Sequence, residues 1–418
     1  MKQKNPAADT GKRNAVILAV VMFGIVSCFG DVIYEGARSA NGQYFNLLAV
    51  NATTVGVLYG IGEFLGYALR LVSGKLSDAT GKHWVLIFLG YGALITVPLM
   101  GMTRSIPVLF ALFLIERIGK ALRNPPKDTI LSQVAENKVG TGFVFGLQEA
   151  LDQLGAFAGP MVFTVVFLTR GQQDLASYQM GYRVLLVAFV ILMIAVFVAY
   201  KRISKYELAR EGETIHRESD KLTRTFWVYC LFTFLASFGL VAYSIIGFHL
   251  KENGVIPDAG ITTLYSVAMI VDAVMALIIG RIYDKVKQRT GNKRAGLLTL
   301  AFIPPVTAAV PFLTLGGSAV MAVVGLVLYG IVLGTHETIM RSAIADLTAF
   351  KKRGTAYGIF NAIYGLGLFC GSAVMGALYD HVSVAAICAA ATAAEIMAFV
   401  VFLALKKEVR QGESAAQN

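Results

Sequence analysis

The segment Gly74-Lys-Leu-Ser-Asp-Ala-Thr-Gly-Lys82 has a weaker copy, Gly280-Arg-Ile-Tyr-Asp284, displaced by 206 residues. A second pattern repeats in the same way. Gly146, Gly155 and Gly159 correspond to Gly358, Gly367 and Gly371 at an offset of 212. Two patterns at nearly equal offset in a chain of 418 residues indicate an internal duplication. Between the copies lies the longest polar stretch, KRISKYELAREGETIHRESDKLTR at 201–224. It is too short for a domain and reads as a solvated linker.

Each half is dominated by long apolar runs. The chain is 56% apolar or aromatic and 15% charged, against roughly 45–50% and about 25% in soluble domains. That composition excludes a disordered chain. Despite a formal charge of +11, so apolar a chain argues against nucleic acid as a partner, which needs its charges clustered on one surface. A membrane-crossing helix needs roughly 20 mostly apolar residues. Twelve such segments are expected, at 14–37, 47–72, 84–102, 106–123, 140–168, 181–200, 225–250, 259–282, 295–314, 318–341, 354–379 and 382–405. They are too long and continuous for barrel strands. The expected organisation is a tail at 1–13, a six-helix bundle at 14–200, the linker, a second bundle at 225–405 and a tail at 406–418. The four cysteines (Cys28, Cys230, Cys370, Cys388) sit in apolar stretches without paired spacing, so neither disulfide, metal nor cofactor is expected.

With the N-terminus placed inside, 32 Lys and Arg fall on the inner side and five on the outer. This bias predicts both termini in the cytoplasm of an inner-membrane protein. The first apolar run continues into Asp31 and Glu35 without a cleavage site, so it reads as a span and not as a removed leader.

The 74–82 segment resembles motif A of the major facilitator superfamily, Gly-x-Leu-x-Asp-x-x-Gly-Arg/Lys. With twelve expected spans and the degenerate second copy, the resemblance covers nearly the whole chain. It implies an all-α polytopic fold of two pseudo-symmetric six-helix bundles that transports by rocking one bundle against the other. It further implies a gating role for Gly74, Asp78, Gly81 and Lys82. The Asp78 carboxylate would cap span 11 and pair with a basic residue near the end of span 4. Arg123, and Asp128 beside it in Arg-Asn-Pro-Pro-Lys-Asp, are the candidates at that end. A carboxylate favours a helix N-terminus, and a breakable pair supplies a two-state element.

Ionisable residues within a bilayer are costly and are functional suspects. Here they are Asp31, Glu35 and Arg38 in span 1, Glu63 in span 2, and Glu116 with Arg117 in span 4. Glu149 and Asp152 follow in span 5, Asp272 in span 8, His336, Glu337 and Arg341 in span 10, and Glu395 in span 12. Spans 3, 6 and 9 have none in their interiors. In the family, spans 3, 6, 9 and 12 face lipid, so the pattern fits that arrangement with Glu395 as its one exception. Asp31, Glu35 and Arg38 share a helical stripe, as do Glu149 and Asp152. Carboxylates crowded in one cavity cannot all be ionised, because burial and mutual repulsion disfavour the charge. That is what proton coupling requires. The coupling candidates are Asp31, Glu63, Glu149, Asp152, Asp272, His336 and Glu337. Glu35, Arg38, Glu116, Arg117 and Arg341 are candidates to line a substrate cavity. The alternative for each is a structural ion pair, notably Glu35–Arg38, Glu116–Arg117 and Glu337–Arg341.

Span 5 reads Gly146-x8-Gly155-x3-Gly159-Pro160, which resembles motif C of drug–proton antiporters. Phe163 and Thr164 replace its final glycines. The motif implies antiport. The same spacing in span 11 admits a packing device common to both halves. Motif B of span 4 is matched poorly, since Ile118-Gly119-Lys120 follows Arg117. No metalloprotease or phosphate-loop motif occurs. The expected function is a monomeric proton-coupled secondary transporter, with a small polar or amphipathic molecule, protons and the lipid bilayer as its partners. Efflux is preferred over symport or facilitated movement of an organic anion.

Overall fold

A computed structural model describes residues 6–135, 141–207, 222–291, 294–348 and 353–417. The surroundings of Gly146 and the side chains of Asp78, Glu149 and Arg341 lie outside what is described. Among the described residues there are helices and no strands.

The helices, in order, are α1 (Pro6–Leu47), α2 (Ala52–Thr80), α3 (His83–Gly92, continued by Ala93–Ile95 and Thr96–Met100), α4 (Ile106–Ala135), α5 (Thr141–Arg170) and α6 (Leu175–Glu207). The second half repeats the plan. It holds α7 (Arg224–Gly239, then Tyr243–Glu252), α8 (Asp258–Thr290), α9 (Ala295–Phe302, then Ile303–Thr314), α10 (Ala319–Thr335, His336–Met340, then Arg341–Leu347), α11 (Arg353–His381) and α12 (Val384–Gln417). Eleven of the twelve are long and apolar enough to cross a membrane. The exception is α4. Its 30 residues reach about 45 Å at 1.5 Å per residue, but Glu116, Arg117, Lys120, Arg123 and Lys127 interrupt its apolar run.

Packing groups the described chain into two compact units. Unit 1 comprises Met1–Ala37 and Leu69–Thr214, and unit 2 comprises Arg38–Ala68 and Ile215–Asn418. In unit 1, α6 exposes Val187, Val190, Ile191, Ile194 and Phe197. That helical stripe of apolar side chains suits lipid, not water. In unit 2, α12 exposes Ile396, Met397, Phe399, Val400 and Leu403. The α8 helix also shows such a stripe, at Val267, Ile270, Val274 and Leu277, whereas Phe312 is the one large exposed apolar residue of α9.

Proline chemistry shapes α4 within unit 1. Pro125 has no N–H for the carbonyl of Ala121, four residues earlier. The Ser73 hydroxyl, from the residue preceding Gly74, donates to that carbonyl at 2.7 Å. Gly74 itself lies 3.6 Å from the Pro125 ring, measured from an ideal Cβ position. The repeated glycine of the second half, Gly280, meets Thr338 of α10 in the same way at 3.4 Å. Ser73 is buried, so Ser73→Ala leaves an orphaned buried carbonyl and is expected to cost about 1–3 kcal/mol. Thermal unfolding of the purified protein checks this, and a variant as stable as the parent would refute the pairing.

Besides α3, which tightens into a 3-10 stretch at Ala93–Ile95, three helices break where the sequence reads as continuous spans. In α9, Pro304 and Pro305 remove two donors and disfavour α geometry before them, so Ala295–Phe302 tightens into a 3-10 helix. In α7 the helix ends at Gly239, and Leu240 and Ala242 are extended. In α10, His336–Met340 forms a π-turn. Outside the spans, Asp174 accepts from the Ser177 N–H and hydroxyl at the start of α6. Those bonds hold its carboxyl below the usual carboxylate range, so this cap is lost as pH falls through the lowered value.

Candidate functional site

Unit 1 carries a chain of cations along α4. Arg117 is 2% exposed. Its guanidinium stands 4.5 Å from the Tyr34 ring centroid and 4.8 Å from that of Phe113. Its Nε lies 3.3 Å from Glu116 Oε2. One turn on, Lys120 Nζ sits 3.5 Å from the Tyr34 ring centroid. Two cations therefore share one aromatic ring, an arrangement in which each gains about 0.5–2 kcal/mol from the ring quadrupole. Arg123 turns to α3, donating to the Gly90 carbonyl at 3.4 Å and stacking 4.8 Å from Tyr91. Lys127 is buried. It donates to Ser27 Oγ at 2.7 Å and lies 3.9 Å from Asp152 Oδ2.

The acids come from α1 and α5. Asp152 accepts from Gln148 Nε2 at 2.8 Å. The charged groups electrostatically close to Asp31 include Asp152, Lys120, Glu35, Arg123 and Lys127. Glu35 is buried one turn from Asp31. Acids on α1 and α5 thus meet the α4 cations, because small residues let the two helices close in. An ideal Cβ on Gly155 would meet the Cys28 carbonyl and lie 3.1 Å from the Asp31 Cβ. This alternating polar cluster can hold a charged small molecule or exchange a proton among coupled groups.

Unit 2 brings together a different set. Arg38 reaches Glu63 at 3.6 Å, both partly exposed. The Asp272 side chain abuts Gly334, where an ideal Cβ would lie 2.9 Å from Oδ1. Two residues on, His336 is buried at the head of the π-turn. Its Nδ1 is 3.5 Å from the Tyr364 hydroxyl, and its Nε2 has no hydrogen-bond partner. Tyr364 stacks edge-on against Tyr67 at 5.1 Å. Glu337 follows, half-buried, in the same turn. A π-turn inside an α-helix frequently marks a functional site. No spacing rule in the sequence distinguished it.

In the motif A segment, Gly81 adopts φ +64° at the α2–α3 turn, a left-handed geometry that glycine takes without strain. Lys82 is exposed, and Asp128 is exposed on α4. The segment's second copy anchors α10. Tyr283 donates to Asp346 at 2.7 Å, and Lys287 bridges the same carboxylate at 2.7 Å.

The glycines resembling motif C do the same work in both units. Gly155 and Gly159 of α5 sit against the carbonyls of Cys28 and Val32 on α1. Gly367 and Gly371 of α11 sit against those of Phe234 and Phe238 on α7. Both pairs touch carbonyls one turn apart, as close helix packing requires. Pro160 follows Gly159 and is buried.

Lys120, Lys127 and Tyr34 are site residues that sequence reasoning passed over. The signal was present, since Arg117, Lys120, Arg123 and Lys127 recur every three or four residues and so share a broad helical face. Among the described residues, no group of three or more His, Cys, Asp or Glu could hold a metal ion.

The family model described as Major Facilitator Superfamily matches residues 15–348 and 306–418. An uncharacterized protein of Mycobacterium tuberculosis is 34% identical over 393 residues, covering 93% of this chain and 92% of that protein. A gentisate transporter of Corynebacterium glutamicum is 22% identical over 376 residues, covering 84% and 77%. Among solved structures, a transporter of the POT family aligns with a TM-score of 0.75 at 12% identity, covering 93% of this chain and 96% of that one. The nucleoside transporter NupG, in a mutant form, aligns at 0.73 with 14% identity, covering 93% and 99%. At these identities the structural likeness establishes the fold alone.

Proposed function

The chain belongs to the Major Facilitator Superfamily, and from that membership we propose a transporter that moves a small organic anion with a flat or aromatic body, coupled to protons. As a family member it is a multi-pass membrane transporter acting on a small-molecule substrate. The observation that carries the finer reading is the pair of cations, Arg117 and Lys120, both held against the ring of Tyr34. Cations desolvated in this way attract an anionic group strongly. A relative's cargo, gentisate, is an aromatic carboxylate and so fits the same chemistry. Asp31 and Asp152, set among Lys120, Arg123 and Lys127, are the proposed proton carriers of this unit. Glu63, Asp272, His336 and Glu337 are the proposed carriers of the other. Glu149 and Arg341 keep the coupling and cavity roles proposed for them from the sequence.

A second reading is proton-driven efflux of a polar or amphipathic molecule. One asymmetry favours it. Pro160 follows Gly159 in α5, whereas Ser372 follows Gly371 in α11.

The test is uptake of radiolabelled gentisate and of its neutral amide into proteoliposomes with an imposed pH gradient. The expected result is accumulation of the anion, not the amide, when the interior is alkaline. Arg117→Gln and Lys120→Gln should each lower the initial rate by about tenfold, equivalent to ~1.4 kcal/mol. Indifference to both substitutions would overturn the anion assignment. Anion accumulation only under the reversed gradient would favour efflux.

A further inference from the structure

Glu395 is the ionisable residue that the lipid-facing pattern does not accommodate. It lies on α12, is 1% exposed, and neither carboxyl oxygen has a hydrogen-bond partner. Its carboxyl group rests against Gly239, the last residue of the first α7 segment; an ideal Cβ there would fall 2.8 Å from the Glu395 carboxyl carbon. The chain continues extended through Leu240 and Ala242 before helix resumes at Tyr243. A helix end leaves its last carbonyls without intrahelical donors. Here that end is buried beside a side chain able to supply one hydrogen, provided it carries a proton.

Among the described residues, the helices packed against α12 bring no compensating charge to Glu395. The α12 helix packs against α7, α9 and α11. Residues 295–314 of α9 contain no titratable group. On α7, Arg224 stands 15 residues before Gly239, about 22 Å along the axis, and pairs with Glu408 at 3.4 Å. Tyr229 donates to the Met340 carbonyl, and Cys230 lies nine residues before Gly239. His249, Lys251 and Glu252 lie ten or more residues beyond Gly239, and Tyr243 donates to the Ile261 carbonyl. Lys406 and Lys407 lie 11 and 12 residues beyond Glu395. On α11, Arg353 is outside the described side chains, and Tyr357 and Tyr364 lie toward the α10 end. Tyr379, Asp380 and His381 lie at the opposite terminus, where Asp380 accepts from the first N–H groups of α2. Cys370, adjacent to Gly371 on Phe238, and Cys388, seven residues before Glu395, are the titratable groups nearest in level. Both are thiols.

An ionised carboxylate in such a place would be unpaired in a dry interior, at a cost of several kcal/mol. A neutral acid would instead donate to a carbonyl freed by the helix break. Discontinuous membrane helices are where transporters of many folds place their coupling ions. We propose that Glu395 is a proton-binding site seated on the α7 break, at which proton release breaks the α12–α7 contact.

Infrared difference spectroscopy of the full-length protein in lipid, recorded against Glu395→Gln, tests this without knowledge of the substrate. The expected result is a neutral carboxylic-acid C=O band at about pH 7 that shifts in deuterium oxide, disappears on alkaline titration and is missing from the variant. Absence of the band at that pH, or its persistence at about pH 10, would overturn the proposal. So would its loss on replacing choline by sodium at constant pH, which would assign a sodium site instead. Should Glu395→Gln fail to fold, Glu395→Met serves as the reference, with the same outcomes.

Discussion

Replacing Gly159 by Ala destabilises the protein by about 3 kcal/mol, the upper part of the range for overpacking a tight contact. The added methyl would meet the Val32 carbonyl oxygen and the Gly36 backbone nitrogen, the latter at 2.7 Å. Both are backbone atoms of α1, so no side-chain rotation relieves the clash and the helices must separate. Gly371→Ala is expected to cost a similar amount, because its methyl would meet the Phe238 carbonyl and lie 2.9 Å from the Phe238 Cα. Gly66→Ala supplies the contrast. No atom beyond the helix's own nearby backbone lies within 4 Å of an added Cβ there, so the gain in helix propensity of about 0.8–1.0 kcal/mol is realised. Thermal unfolding of the three purified variants decides the matter. A stable Gly159→Ala variant with altered transport would mean that the α5 glycines act in coupling and not in packing.

The duplication, the number of long helices and most of their limits were legible because apolar periodicity and glycine spacing are local properties. The breaks were less so. The 3-10 segment of α9 is explained by Pro304 and Pro305, which are visible in the sequence. The break in α7 after Gly239 is packed against Glu395, 156 residues later, and no local pattern announces that contact. The ion pairs show the same limit. Glu116–Arg117 was readable as neighbours, whereas Arg38 joins Glu63 on another helix. Lys120 and Lys127 serve the inside-positive count equally well whether they sit in solvent or in the cluster. Only the burial of Lys127 and the ring beneath Lys120 separate those readings.

The second large effect falls on Lys127. In Lys127→Met the Ser27 hydroxyl loses its 2.7 Å donor, and Asp152 keeps Gln148 as its hydrogen-bond donor with Asp31 electrostatically nearby. Removing one member of a fully buried pair costs about 3–5 kcal/mol, because the remaining charge is uncompensated; with Asp152 23% exposed, the lower end of that range is expected. Asp152→Asn keeps the shape of the side chain and leaves Lys127 the uncompensated partner, so a loss of the same order follows. The double variant should be more stable than the sum of the two losses predicts, by 0.5–3 kcal/mol in a double-mutant cycle. Thermal or denaturant unfolding of the four proteins measures that coupling. Additivity within about 0.5 kcal/mol would mean that the 3.9 Å separation carries no pairing energy. Asp152 would then be held by Gln148 and Ser27, and its charge would be available to a proton without first dismantling an ion pair. A measurable coupling has the opposite consequence: Lys127 competes with the proton for Asp152, and protonation becomes the event that frees α4 from α5.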